Sequence, residues 1–268
     1  MKKIYLTLIL VCTNLQAQIN IYSHRHYDSD KILFKKFTDQ TGIKINVIKG
    51  SADQLIERLI SEGGNSPADI LLTVDAGRLH RAKVAGILQP IESKILSENI
   101  PPSMRDEDDY WFGLTVRARV LVYSKERVTP DQLSTYEDLA NRKWRGKIAV
   151  RSSSNIYNQS LMASIIASNG SRKALSWAKS IRKNMARAPR GSDRDQARAV
   201  AAGLADVAIM NTYYLGILAN SPDAKDREVF KKVSVFFPNQ NDRGTHINVS
   251  GAGITKSSKN KKDAIKFL

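Results

Sequence analysis

Short apolar runs alternate with segments of helical period along this chain, and that alternation is the strongest limit on its fold. Ile19–Ser23, Lys44–Ile48 and Ile70–Val74 read as strands. Between them, Asp30–Thr41 carries Ile32, Leu33, Phe34 and Phe37 at helical spacing before Gly42 stops it. Ser51 and Gln54 give a capping-box signature for a helix bearing Leu55, Ile56, Leu59 and Ile60, and the run Ile70–Val74 ends in Asp75. Such repetition predicts an α/β architecture, a parallel sheet covered on both faces with ligands held beyond the carboxyl ends of its strands.

A longer extended region, Leu114–Tyr123, precedes a second round of alternation at Tyr136–Asn141, Lys147–Val150 and Ile156–Ser168. Helices at Ser171–Asn184 and Asp193–Gly203, a strand at Asp206–Met210 and a short helix from Asn211 complete it. With 268 residues the chain exceeds the usual size of one core, which predicts two lobes. The first would hold 18–115 and the second 116–238, with 239–268 returning to the first. Strands at Val233–Pro238 and His246–Ile254 are expected to carry the chain back, so crossings near 114–123 and 233–240 would make a hinge. No internal repeat or Pro-rich linker interrupts the pattern, which suits lobes joined by strands. A new helix starts after Ser257 and stops at Lys266, Phe267 and Leu268 as its apolar face emerges, which reads as an incomplete carboxyl end.

Residues 1–17 have the layout of a cleaved secretory leader: Lys2 and Lys3, an apolar stretch from Ile4 to Cys12, and a small residue at Ala17. The stretch is too short for a permanent membrane span, so the expected location is periplasmic. Cys12 is the only cysteine and falls inside the leader, so any metal site in the mature chain must use oxygen and nitrogen donors. The formal charge is +16, or 16 − 2 = +14 once Lys2 and Lys3 are lost. Its basic residues are scattered, with no long basic run or aromatic-interleaved basic motif, which fits a solvated surface and argues against nucleic acid as partner.

Nine tyrosines are present, and three groups fall where strands give way to helices: Tyr27 with His26, Tyr157 after a Ser-Ser-Ser-Asn run, and the pair Tyr213 and Tyr214. A phenolate is a hard anionic donor suited to Fe(III). Three phenolates neutralise that ion and a fourth leaves the site at −1, for which Arg117 or Arg25 is the candidate cation. Ionising a tyrosine at pH 7 costs about 4 kcal/mol, roughly 16 for four, a cost that metal coordination offsets. The residues alone also admit a plainer reading, in which tyrosines are half-buried packing residues. Tyr22, Tyr110, Tyr123 and Tyr136 are read that way, and His80 and His246 as structural or exposed.

The segments SHRHYDSD, LLTVDAGRLHRA, WRGKIAVRSSSNIYNQSL and GLADVAIMNTYYLG resemble, in order and spacing, the ferric-ion-binding proteins of bacterial ABC-type iron transporters, in particular the branch with tyrosine-rich sites. The resemblance covers nearly the whole chain after the leader. It implies a two-lobed class II periplasmic-binding-protein fold, Fe(III) as the bound ligand, and delivery to an ABC transporter permease in the inner membrane; a monomer is the default expectation, and no enzymatic activity is expected. Carried over residue by residue, it places His26, Tyr27, Tyr157, Tyr213 and Tyr214 at the metal and Arg117 behind them. Family members continue well beyond Leu268. The competing expectations are a small organic solute such as thiamine, a polyamine or a phosphonate on the same fold, a group-transfer enzyme, and a nucleic-acid binder. A polyamine would need cleft carboxylates, and an enzyme an activated nucleophile that the sequence does not display.

Overall fold

The computed structural model describes residues 17–25 and 27–268. The leader expected at 1–17, apart from Ala17, and the ligand expected at His26 therefore lie outside the described residues. Its first part runs β1 (Gln18–Ser23), α1 (Asp28–Thr41), β2 (Lys44–Lys49), α2 (Ala52–Glu62), β3 (Ile70–Val74), α3 (Ala76–Val84), β4 (Leu88–Gln89) and α4 (Lys94–Asn99). The second part has β5 (Phe112–Ser124), β6 (Ile148–Ala149), α5 (Ile156–Asn169), α6 (Ser171–Asn184), α7 (Asp193–Ala201), β7 (Val207–Asn211), α8 (Tyr213–Ala219), α9 (Ala224–Lys232) and β8 (Val233–Phe236). Then come β9 (Ile247–Thr255) and α10 (Lys261–Phe267).

Local chemistry sets the helix ends. Ser51 and Gln54 close the expected capping box on α2, and Ser192 with Asp195 makes another on α7. Gly42, at φ 72°, ends α1 by taking a conformation that costs glycine little. The apolar stripe predicted on α1 is divided: Phe34 and Phe37 pack against Phe267 at 5.4 and 5.2 Å between ring centroids, while Ile32 and Leu33 face solvent. Tyr136–Asn141 forms a single 3₁₀ turn over Glu137–Ala140 in place of a regular element.

The strands are ordered β2-β1-β3-β9-β5-β7-β6, with β4 beside β9 and β8 beside β5. β1 pairs in parallel with β2 and β3, whereas β9 enters antiparallel between β3 and β5. Long β5 serves both lobes. Its first half pairs with β9, from Phe112 opposite Ala252 to Ala118 opposite Ile247. Its second half pairs with β7, from Arg119 opposite Asn211 to Tyr123 opposite Val207. The two-lobed α/β arrangement is the fold expected, but the sheets are mixed where the alternation predicted parallel ones. β9 runs antiparallel to β3 and β5, and β5 runs antiparallel to β7 and β8, because β5 and β9 cross between the lobes without an intervening helix.

One crossing differs from expectation. Val233–Pro238 does not return to the first sheet: β8 pairs with Leu121–Ser124 of β5 and stays in the second. The physical reason is packing, because Val233 and Phe236 join the core clusters on the two faces of that second sheet. The chain crosses back only at Thr245–Ile247, where the Arg119 N–H donates to the His246 carbonyl at 2.9 Å. The Tyr136 hydroxyl pins this crossing, donating to the Arg119 carbonyl and accepting the His246 N–H at 3.2 Å. Closer to the first lobe the strands approach tightly, and a Cβ on Gly251 would run into the Phe112 carbonyl.

Both sheets are buried on two faces. The pleat of β5 sends Leu121 and Tyr123 to one side with Tyr136, Leu161 and Ile165, and Val120 and Val122 to the other with Ala197, Val200 and Leu218. In the first sheet Ile19, Ile21, Ile70 and Leu72 share one face, while Tyr22 and Leu71 meet Leu55, Leu59 and Leu79 on the other. Strands buried at every residue and mostly apolar, such as β3 and β7, follow from this double coverage.

Candidate metal centre

Three strand-to-helix transitions converge on one cleft. Tyr27 is the last residue before α1, in extended backbone at φ −83° and ψ 143°, and its carbonyl accepts the Asp30 N–H at 3.1 Å. Tyr157 lies in the first turn of α5, where Asn155 caps the helix by accepting the Tyr157 N–H at 3.0 Å. Tyr213 and Tyr214 open α8, and the Thr212 N–H just before them donates to the carbonyl of Ala118, the residue at which β5 changes partner. Tyr27 therefore comes from the first lobe and the other three from the second.

The rings meet. The Tyr157 and Tyr213 hydroxyls are 3.4 Å apart. Tyr213 and Tyr214 lie 4.3 Å apart between centroids, and Tyr27 meets Tyr213 edge-on at 6.3 Å. A cavity of about 290 Å³ opens beside them, lined by His24, Arg25, Tyr27, Tyr157, Arg194 and Tyr214 among others. A larger groove of about 940 Å³ lies elsewhere in the second lobe, but its lining, with Leu161, Met162, Trp177 and Ile181, is mostly hydrocarbon and holds no carboxylate or phenol. No group of three or more His, Cys, Asp or Glu residues is arranged to hold a metal among the described residues. None of their helices is long and apolar enough to cross a membrane.

Burial, reinforced by the neighbouring Tyr157 and Tyr214, pushes the Tyr213 phenol far above its ordinary value. Burial raises Tyr214 as well. Both hydroxyls are thus protonated at neutral pH until a cation compensates them.

Guanidinium groups surround the cluster. Arg25 is held by both Asp30 oxygens at 3.0 and 2.8 Å and sits 5.2 Å from the Tyr27 ring centroid. Arg117 sits 4.9 Å from the Tyr157 centroid, and its charge is paired with Asp75 at 2.7 Å. Arg119 and Arg151, each 5.9 Å from the same ring, share Asp193 at 2.5 and 3.4 Å. A cation facing an aromatic ring is attracted by its quadrupole, and more so once the phenol ionises.

The sequence singled out Tyr27, Tyr157, Tyr213, Tyr214 and Arg117, and the structure brings all of them together. His80 is exposed on α3. His246 is half-buried, lining a small cavity with Asp75, Arg117 and Tyr157, and burial lowers its pKa to about 4. Sequence reasoning passed over Asp75, Ser160 and Asn248. A polar residue ending the apolar strand β3 was the available signal for the first, while the other two carried none.

The chain is 53% identical over 253 residues to iron uptake protein A1 of Synechocystis sp., covering 94% of this chain and 70% of the relative. Among solved structures it is similar to a Trichodesmium protein in complex with iron and citrate ligands, at TM-score 0.92 and 56% identity over 94% of this chain and 80% of the other. The ferric binding protein of Campylobacter jejuni superposes at TM-score 0.88, with 49% identity over 93% of this chain and 79% of that one. Residues 65–268 match the family model of the bacterial extracellular solute-binding proteins, and to that family this chain belongs.

Proposed function

We propose that this protein captures Fe(III) between its lobes and carries it to an ABC-type permease in the inner membrane. The observation that carries the proposal is the convergence of Tyr27, Tyr157, Tyr213 and Tyr214 from three separate helix starts. Their phenolates are the ligands in this reading, and His26, just before Tyr27 in the chain, is a further candidate. Arg117 faces Tyr157 but is paired with Asp75, so the charge that offsets the surplus of four phenolates around a trivalent ion comes from Arg117 together with Arg119 and Arg151, two guanidiniums beside the same ring that share the one Asp193 carboxylate. Relatives named for iron uptake and ferric-iron binding support the choice of metal. A relative named as a periplasmic protein supports a periplasmic site of action, and removal of a leader at 1–17 belongs to the same proposal.

The lobe limits 18–115, 116–238 and 239–268 belong to the same proposal, as do a monomeric state, no role in nucleic-acid binding and no catalysis. Capture proceeds by closure: the lobes pivot on β5 and the crossing into β9, and Tyr27 meets the second-lobe tyrosines on the metal. Mixing the protein with a ferric chelate should give an orange-red phenolate-to-iron band, and Tyr213→Phe together with Tyr214→Phe should abolish it. A colourless protein that keeps no iron after dialysis would sink the reading.

A further inference from the structure

Beyond the tyrosines, the two lobes are also tied through a single buried carboxylate. Asp75 is the first residue after β3 and is 0% exposed. Its backbone sits at φ 83° and ψ 122°, on the side of φ that residues with a Cβ avoid, so the surrounding structure must hold it there. Four donors from four places do so. Oδ1 accepts the Gly77 N–H at 3.1 Å and the Ser160 hydroxyl at 2.7 Å. Oδ2 accepts Arg117 Nη2 at 2.7 Å and Asn248 Nδ2 at 3.1 Å.

These donors have different homes. Gly77 belongs to α3 of the first lobe. Arg117 and Asn248 face each other in register on β5 and β9, the strands that join the lobes. Ser160 belongs to α5 of the second lobe, three residues after Tyr157 and on the same side of that helix. The Ser160–Asp75 hydrogen bond therefore spans the cleft. Arg117 also donates to the Val249 carbonyl at 2.9 Å, and these two anchors hold its guanidinium over Tyr157. The helix that presents Tyr157 is thus fastened twice, and both fastenings end on Asp75.

We propose that Asp75 and Ser160 form a latch across the cleft, made only when the lobes are closed, that slows escape of the bound ion and holds Tyr157 in place. Both are positioning residues, since neither lies among the tyrosine hydroxyls. The proposal rests on the Fe(III) reading above for its cargo. A contact present in only one of two states biases the equilibrium by its whole free energy, so its loss favours the open form. A hydrogen bond to a charged acceptor corresponds to about a ten- to hundredfold change in that equilibrium.

The test compares wild type, Ser160→Ala and Ser160→Thr, which keeps the hydroxyl. Each is loaded with Fe(III), mixed with excess chelator, and followed through decay of the phenolate-to-iron band. Ser160→Ala should show the same band at saturation, lose iron about ten- to hundredfold faster, and keep the thermal midpoint of the metal-free protein; Ser160→Thr should stay near wild type. In parallel, spin labels at exposed Lys36 and Lys173, one on each lobe, report the interlobe distance. A shift to longer distances in Ser160→Ala supports the latch. Matching release and matching distances in wild type and Ser160→Ala overturn it. A wild type that never develops the band refutes the iron reading instead, and the distance measurement then decides the latch by itself.

Discussion

Replacing Tyr213 with phenylalanine removes one ionisable hydroxyl and keeps the ring that fills the space between Tyr27 and Tyr214. An ordinary phenol lies about 3 pH units above neutrality, so ionising it at pH 7 costs about 4 kcal/mol. Burial and the neighbouring tyrosines push Tyr213 higher still, which makes about 4 kcal/mol a lower bound on what the metal must supply there. Every phenol that coordinates then releases a proton, and each proton released makes apparent affinity fall tenfold per unit of acidification. The variant releases one proton fewer. Competition against one chelator from pH 6 to pH 8 measures both proteins, and ferric hydrolysis and chelator protonation are common to the two and cancel in the ratio. The wild-type advantage should therefore shrink about tenfold for each unit the pH falls, roughly a hundredfold across the range. Parallel profiles would show that Tyr213 binds as a neutral phenol or not at all, and the phenolate argument would fail at this residue.

Two further outcomes concern stability. Asp193→Asn leaves the Arg119 guanidinium, 2% exposed, without its ionic partner, and should cost about 3–5 kcal/mol in urea unfolding; a loss under about 1 kcal/mol would contradict the pairing. Burial holds the His246 pKa near 4 in the folded chain, against the ordinary 6.5, so the unfolded chain binds the extra proton between those values. Stability from this group is complete above about pH 6.5 and lost as pH falls toward 4. His246→Gln should accordingly reduce the loss between pH 7 and pH 4.5 by up to about 3 kcal/mol, seen as a smaller shift of the urea midpoint, and an unchanged shift would contradict it.

What could be read from the chain was local. The capping box at Ser51 and Gln54, the helix from Ser171 to Asn184 and the apolar run of β3 are each set by residues a few positions apart, and the structure reproduces them. The tyrosines were legible for a related reason, because each sits where a strand hands over to a helix. Asp75 was not, since its partners Arg117, Ser160 and Asn248 lie 42, 85 and 173 residues away, and no window along the sequence contains them. The placement of β8 was missed because Val233 and Phe236 fit an apolar face of either sheet, and only pairing with β5 decides between them. On α1 the spacing marked four apolar residues as equivalent, yet the surface offered by Phe267 has room for only two of them.

The place of β9 has a bearing on how the protein is made. β9 is the last in chain order of the described strands, yet it occupies an interior position, with Ile70–Val74 of β3 on one side and Phe112–Ala118 of β5 on the other. A chain emerging amino end first can pair β1, β2 and β3, but the inner edge of β3 stays bare until more than a hundred further residues have appeared. The part synthesised first thus waits on a strand made much later, and its uncovered, mostly apolar edge is where a helper on the export route, or a misfolding encounter, would find it.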